Sequence, residues 1–376
     1  MGKYLNFKYE CLKRFSEDAF SNFGFDKRQS EIITDVLLTS DLYGIDSHGV
    51  QRLVRYHKSI EKGMIDMKAN AKVVFETPVS AVIDGMNGMG QLIGYDAMTL
   101  AIEKAKKSGM AIVTVRNSNH YGIAGYYANM ACKEGLIGVS MTNTKAIMVP
   151  TFGRLAMLGS NPIAVAMPAE PYSFFFDSST TVVTRGKLEL YNKLDKPLPQ
   201  GWAIDASGKG SSDASEVLDN IIANAGGGIL PLGGEFEQTG SHKGYGYGML
   251  CEIFTAILSL GTTSNHTYTN GVGGICHSFM AIDPAIFGDP AEIKKNFSCF
   301  LQELRESPKA EGAERIYTHG EKEVYAYADR LKNGIDVDMN TVEEMIDLCH
   351  YLNMDVRDYL GEEAALIPWK ESNYNM

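Results

Sequence analysis

MAIVTVRNSNHYGIAGYYANMACKEGLIGVSMT, residues 110–142, carries the alternation that decides the fold. Residues 110–115 are a short apolar run rich in β-branched side chains, as a buried strand requires. A helix is expected over 123–133, stopped near Gly135, and residues 136–142 read as the next strand. Upstream, the spacing predicts a helix over 96–107 ended by Gly109. Before it lie strands at 72–76 and 81–84 and the turn Gly85-Met86-Asn87-Gly88-Met89-Gly90. Strand, helix and strand at this spacing form a βαβ unit with an expected right-handed crossover.

Working outward, residues 7–61 read as helical, with Ile32, Ile33, Val36 and Leu37 on one apolar face. Gly44 and Gly49 break the pattern around Asp46-Ser47-His48, and it resumes with Leu53, Val54 and Tyr56. Residues 163–167 and 174–176 add apolar strands. Residues 196–212 read as a surface loop and 244–260 as a long apolar helix. The end of the chain carries alternating charge and short helices. A mixed α/β enzyme with one subdomain made of the chain ends is expected.

The chain has 376 residues, 44% of them hydrophobic and 22% charged, enough for a sizeable core. A net charge of −11 argues against nucleic acid, which needs a basic stripe, but leaves room for an anionic small molecule. Cys11, Cys132, Cys251, Cys276, Cys299 and Cys349 show no CxxC spacing, so neither a disulfide framework nor a zinc knuckle is expected. The N-terminal residues have no apolar signal core, and no apolar run reaches membrane-spanning length. A reducing cytoplasm and no membrane partner are expected.

Three histidines stand beside glycine or serine: His48 in IDSHGV, His120 in NSNHYG and His242 in GSHKGYG. A histidine so placed suits proton transfer at a cleft wall, or merely bonds its own loop. Arg52 follows His48 by four residues and Tyr56 lies one turn further, so one helix edge would present an imidazole, a guanidinium and a phenol. Such a guanidinium suits a carboxylate. The alternative is a solvated charged face. Asp177, followed by Ser178 and Ser179, suits a ribose or phosphate, or else caps a following helix. Lys243 precedes an apolar helix whose start would attract phosphate. No GxGxxG, Walker, HExxH or GxSxG motif is present.

Six segments occur in order: GIDSHGVQRL (44–53), SNHYGIAGYYANMA (118–131), GSNPIAVAMP (159–168), FDSSTT (176–181), SHKGYGYGML (241–250) and HGEKE (319–323). Together they resemble the malate/L-lactate dehydrogenase family that is distinct from Rossmann lactate and malate dehydrogenases. Its relatives include ureidoglycolate and sulfolactate dehydrogenases, 2,3-diketogulonate reductase and a cyclic-imine reductase. The resemblance implies an α/β, mixed-sheet, non-Rossmann nicotinamide-binding fold with a helical subdomain from the chain ends. It implies a helical segment at 1–70, a cofactor-binding and catalytic core at 71–305, and a segment at 306–376 packing back on the first. It also implies a homodimer.

By the same resemblance, His48 or His120 is the acid/base group. Ser47, Arg52 and Tyr56 line the substrate pocket, with Arg52 on the carboxylate. Thr144, Asp177, Ser178, Ser179, His242, Lys243, Gly320, Glu321 and Lys322 contact the cofactor, NAD with NADP left open. Lysine at 322 replaces the usual arginine and loses its bidentate fork. Lys145 offers charge for a second carboxylate, which favours malate/oxaloacetate over lactate, ureidoglycolate, other 2-oxo acids or a cyclic imine. A binding protein without activity should lack the His48, Arg52 and His120 set. A metal-dependent hydrolase lacks short ligand spacing, so no metal is expected.

Overall fold

A computed structural model describes residues 4–268 and 271–369; the outer ends of the two expected terminal segments lie outside the described residues. The chain divides into two units, one from the described parts of Met1–Met67 and Ser298–Met376, the other Lys68–Phe297.

The first unit begins with β1 (Tyr4–Phe7), α1 (Tyr9–Phe23) and α2 (Lys27–Leu42). Two 3-10 turns, Asp46–His48 and Val50–Arg52, lead into α3 (Leu53–Glu61). The helical stretch expected over 7–61 is therefore cut. Gly24, at φ +115, closes α1 in a conformation that side chains disfavour. Asp26 then opens α2 through a reciprocal capping box with Gln29. Ile33, Val36 and Leu37 are buried as the pattern requires.

The second unit contains β2 (Lys72–Thr77), β3 (Ser80–Asp84), α4 (Gly90–Ser108), β4 (Met110–Ser118), α5 (Ala124–Lys133) and β5 (Ile137–Thr142). It continues through β6 (Ile163–Met167), β7 (Phe174–Ser178), α6 (Arg185–Lys193), β8 (Ala203–Ile204) and α7 (Ala214–Ala223). Then come β9 (Gly228–Ile229), α8 (Ser241–Glu252) and β10 (Ile275–Ile282). Helix α9 (Pro290–Glu306) begins in the second unit and ends in the first, which continues with α10 (Glu321–Asn333), β11 (Ile335–Asp338), α11 (Met339–Leu352) and α12 (Val356–Ala365). Strand β11 pairs antiparallel with β1.

Among the described residues the large sheet has seven strands in the order β2-β3-β4-β10-β5-β6-β7. Only β3 and β4 pair in parallel; the other neighbours are antiparallel. The expected βαβ unit, β4–α5–β5, keeps its two strands parallel but not adjacent, while β3–α4–β4 forms a βαβ unit whose strands pair directly. Strands β4 and β5 do not touch, because β10 inserts between them with His277 opposite both Val115 and Thr142. This mixed order is not a Rossmann sheet.

The structure departs from expectation in several places. Helix α4 starts at Gly90 rather than 96, since Gly90 and Gly94 allow its first turns to pack against the main chain at Asn119 and His120 and the ring of Tyr127. Strand β7 runs on to Ser178 and takes in Asp177. Residues 196–212 are not all surface, because Leu198, Ala203 and Ile204 are buried and β8 pairs with β9. The apolar helix expected over 244–260 runs helically to 259, but with a π-helical stretch, Ile253–Ile257, inside it. Buried Glu252 is pinned by partners outside its helix, and the Thr255 hydroxyl donates to Cys251 O (2.6 Å), which disturbs the local backbone register.

Candidate active site

In the first unit, His48 ends one 3-10 turn and Gly49 leaves the helical region at φ −87, ψ −148. His48 and Arg52 therefore do not share a face of one continuous helix, contrary to the i, i+4 expectation. The main chain brings them together instead. Arg52 Nε donates to Ser47 O (2.6 Å), and Ser47 Oγ lies 2.9 Å from His48 Nδ1. Arg52 directly precedes α3, and Tyr56, one turn on, is buried. Burial, then the Arg52 and Arg55 cations, push the His48 imidazole down to about 3. Its ring is neutral at ordinary pH.

The HGEK segment opens α10. Gly320 takes φ +103 at the N-cap. Glu321 is 1% exposed and lies 2.9 Å from Arg315 and 3.5 Å from Arg305. Its carboxylate anchors the loop within the protein. Lys322 Nζ stands 4.9 Å above the Tyr317 ring.

In the second unit, His120 follows β4. Its Nδ1 accepts from Gly122 N (3.4 Å), which leaves the proton of the neutral ring on Nε2. The next residue explains its rigidity. Tyr121 is fully buried and stacks between Tyr127 (4.7 Å) and His277 (4.2 Å), with its hydroxyl bonded to Ser140 Oγ (3.1 Å). Asn119 Nδ2 donates to Asn87 O and Gly88 O, so the glycine-rich turn at 85–90 braces this segment.

His277 bridges Thr142 Oγ1 (2.8 Å) and Ser118 Oγ (2.9 Å). Burial pushes it down to about 3. The folded state thus holds it neutral, while the unfolded chain takes up a proton below pH ~6.5. Its contribution is intact above that pH and is lost as pH falls toward 3. We expect His277→Gln to remove about 1 kcal/mol of the stability difference between pH ~7 and ~5.5. Urea unfolding of both proteins at the two pH values checks this; an unchanged difference refutes it.

Thr144 and Lys145 occupy the turn after β5. Thr144 N donates to Asn161 Oδ1 (3.1 Å), and its hydroxyl accepts from Ser160 N (3.0 Å). Asn161 Nδ2 in turn donates to the buried Glu252 carboxylate (2.9 Å), which also accepts from Ser264. Lys145 is half-buried, and burial followed by the Arg185 cation lowers its ammonium.

Asp177 does not cap the following helix, whose N-cap is Thr184. It projects from β7, and its Oδ2 accepts from Gly125 N (2.7 Å) in the first turn of α5. Ser178 and Ser179 turn their hydroxyls back onto Ser179 O and Thr181 O. His242 and Lys243 are exposed on the first turn of α8. The N-cap there, Gly240 at φ +94, provides no side-chain cap. Among the described residues no three His, Cys, Asp or Glu side chains form a metal-binding group.

A sequence model of the malate/L-lactate dehydrogenase family matches residues 7–346. The chain belongs to that family. This dehydrogenase is 42% identical to the malate dehydrogenase of Pyrococcus abyssi over 347 residues, 92% of this chain and 94% of that one. It is 37% identical to the L-sulfolactate dehydrogenase of Methanocaldococcus jannaschii over 360 residues, 94% and 99% of the two chains. The solved malate dehydrogenase of Entamoeba histolytica superposes with a TM-score of 0.90 at 37% identity, covering 94% of this chain and 99% of its own. The protein is an oxidoreductase acting on 2-hydroxy acids, and dehydrogenases of its family use a nicotinamide cofactor.

The residues present fit such a group. A helix start without a side-chain cap, flanked by His242 and Lys243, suits phosphate, and the hydroxyl-rich stretch after β7 suits ribose. Sequence reasoning misses four residues that act on the candidate residues or their supports: Arg185 on Lys145, Asn161 on Thr144, Glu252 on Asn161 and His277 on Tyr121. Arg185 stands 40 positions from Lys145, and Glu252 stands 91 from Asn161, so neither pair leaves a spacing signal.

Proposed function

We propose that this dehydrogenase interconverts malate and oxaloacetate with NAD. Arg52 takes the C1 carboxylate, its guanidinium oriented through Nε by Ser47 O. Ser47 and Tyr56 complete the substrate side. Lys145, with Arg185 beside it, takes the C4 carboxylate. That pair of cations carries the preference for malate: their mutual repulsion is relieved by a second anion, which lactate lacks. The relatives named malate dehydrogenase support the same reading.

His120 accepts the C2 hydroxyl proton during oxidation and returns it during reduction. His48 is unsuited to that task, because its half-buried ring, desolvated and beside two arginines, resists protonation. It serves as a neutral hydrogen-bonding group. The bound nicotinamide supplies the hydride acceptor. The protein's own part is positioning, by Thr144, Asp177, Ser178 and Ser179, by His242 and Lys243, and by the loop of Gly320, Glu321 and Lys322. The Asp177 carboxylate favours NAD, since an acidic group disfavours a 2′-phosphate. On this reading the enzyme is a cytoplasmic homodimer.

The test follows reduced-nicotinamide absorbance with oxaloacetate, pyruvate and a cyclic imine, each with NADH and NADPH. Oxaloacetate with NADH is expected to be fastest. Lys145→Ala should raise KM for oxaloacetate about tenfold and leave that for pyruvate nearly unchanged. Faster turnover of pyruvate or the imine by the wild type would overturn the substrate assignment.

A further inference from the structure

We propose that Asp41 is a positioning residue whose buried carboxyl fixes the backbone break at Gly49 and so sets Arg52 and His48 relative to each other. The inference rests on the reading of Arg52 as the carboxylate-binding group. Asp41 lies near the end of α2 and is 2% exposed. Its Oδ2 accepts from Val50 N (2.9 Å), the first residue of the second 3-10 turn. The first N–H groups of a helical segment have no partner within it, so an acceptor supplied by another element holds its start.

Gly49 makes this contact feasible. A Cβ there would overlap the Asp41 carboxyl group, so only glycine lets the carboxyl lie against the main chain. The two functional side chains flank this point. His48 closes the first turn through His48 N to Ile45 O (3.0 Å), and Arg52 N donates to Gly49 O (2.9 Å) in the second. Arg330 adds an outer brace, donating from Nη1 to Asp41 O (2.6 Å) and pairing with Asp46. Arg330 thus ties α2 to the first turn, while Asp41 ties it to the second.

Burial pushes the Asp41 carboxyl up to about 8, against the pull of Val50 N–H and Arg330 and with the help of Asp46. A protonated carboxyl retains an acceptor oxygen, so the contact survives at neutral pH and an amide can replace it.

The test measures KM for substrate and for cofactor in the full-length protein. Asp41→Ala should raise the substrate KM about tenfold or more with the cofactor KM unmoved, because misplacing a binding group is costly. Asp41→Asn should recover most of that loss. Gly49→Ala should reproduce the defect, and adding Asp41→Ala to it should worsen it little, since the two share one contact. Should Asp41→Ala not fold, Asp41→Asn and Gly49→Ala decide: a raised substrate KM in Gly49→Ala alone supports the proposal. A wild-type substrate KM in folded Asp41→Ala, or equal rises for substrate and cofactor, overturns it. So does an Asn variant as impaired as Ala. Arg52→Ala separates the two claims. If it leaves the substrate KM unchanged, the site reading fails and this inference with it; if it raises that KM while Asp41→Ala does not, only the positioning role fails.

Discussion

Replacing His120 by alanine lowers kcat about 10²–10⁴-fold, the usual effect of losing a general acid–base group. Substrate KM and cofactor affinity should change little, because Tyr121, clamped between Tyr127 and His277, keeps the surrounding segment in place. His48→Ala should cost less, since a ring pushed down to about 3 by burial and two arginines is a weak base that stays uncharged at neutral pH. Single-turnover rates with saturating cofactor separate the two variants. A His120 variant within a few-fold of wild type, beside an inactive His48 variant, would exchange the two roles.

Replacing Arg52 by alanine raises the substrate KM about a hundredfold, the loss expected for a charge-assisted contact to a carboxylate. Lysine should restore only part of the affinity, because it keeps the charge but not the planar fork. Cofactor affinity, read by a fluorescence titration without substrate, should stay unchanged in both variants. A parallel loss of cofactor affinity would mean that Arg52 supports the whole fold instead.

The strand and helix succession from 110 to 142 was legible because burial imposes local periods: β4, α5 and β5 each repeat their apolar contacts within a few residues. Motif order carried the candidate residues, since His48, His120, Asp177 and Lys243 stand in segments rich in the glycines and hydroxyls that a loop near a ligand needs, with Arg52 four residues after His48. The strand that separates β4 from β5 left no such trace. Strand β10 arrives from residue 275, and nothing local to 110–142 specifies a place for it.

Partner choice over long separations was likewise hidden. Asp177 looked like a cap for the helix after it and instead holds the first turn of α5, 52 residues earlier. Arg52 looked like a helical neighbour of His48, yet Gly49 breaks the helix and Ser47 O restores the proximity. Residue types and spacings suffice for the kinds of element, the loops that carry chemistry and the family, because these depend on short-range sterics and burial. Sheet order, the pairing of Lys145 with Arg185, the Asp41 contact beneath Gly49 and the protonation states of His48 and His277 depend on which distant groups share a buried volume. Charge and hydrogen-bond energies there are set by distance and solvent exclusion, and neither quantity exists until the chain has folded.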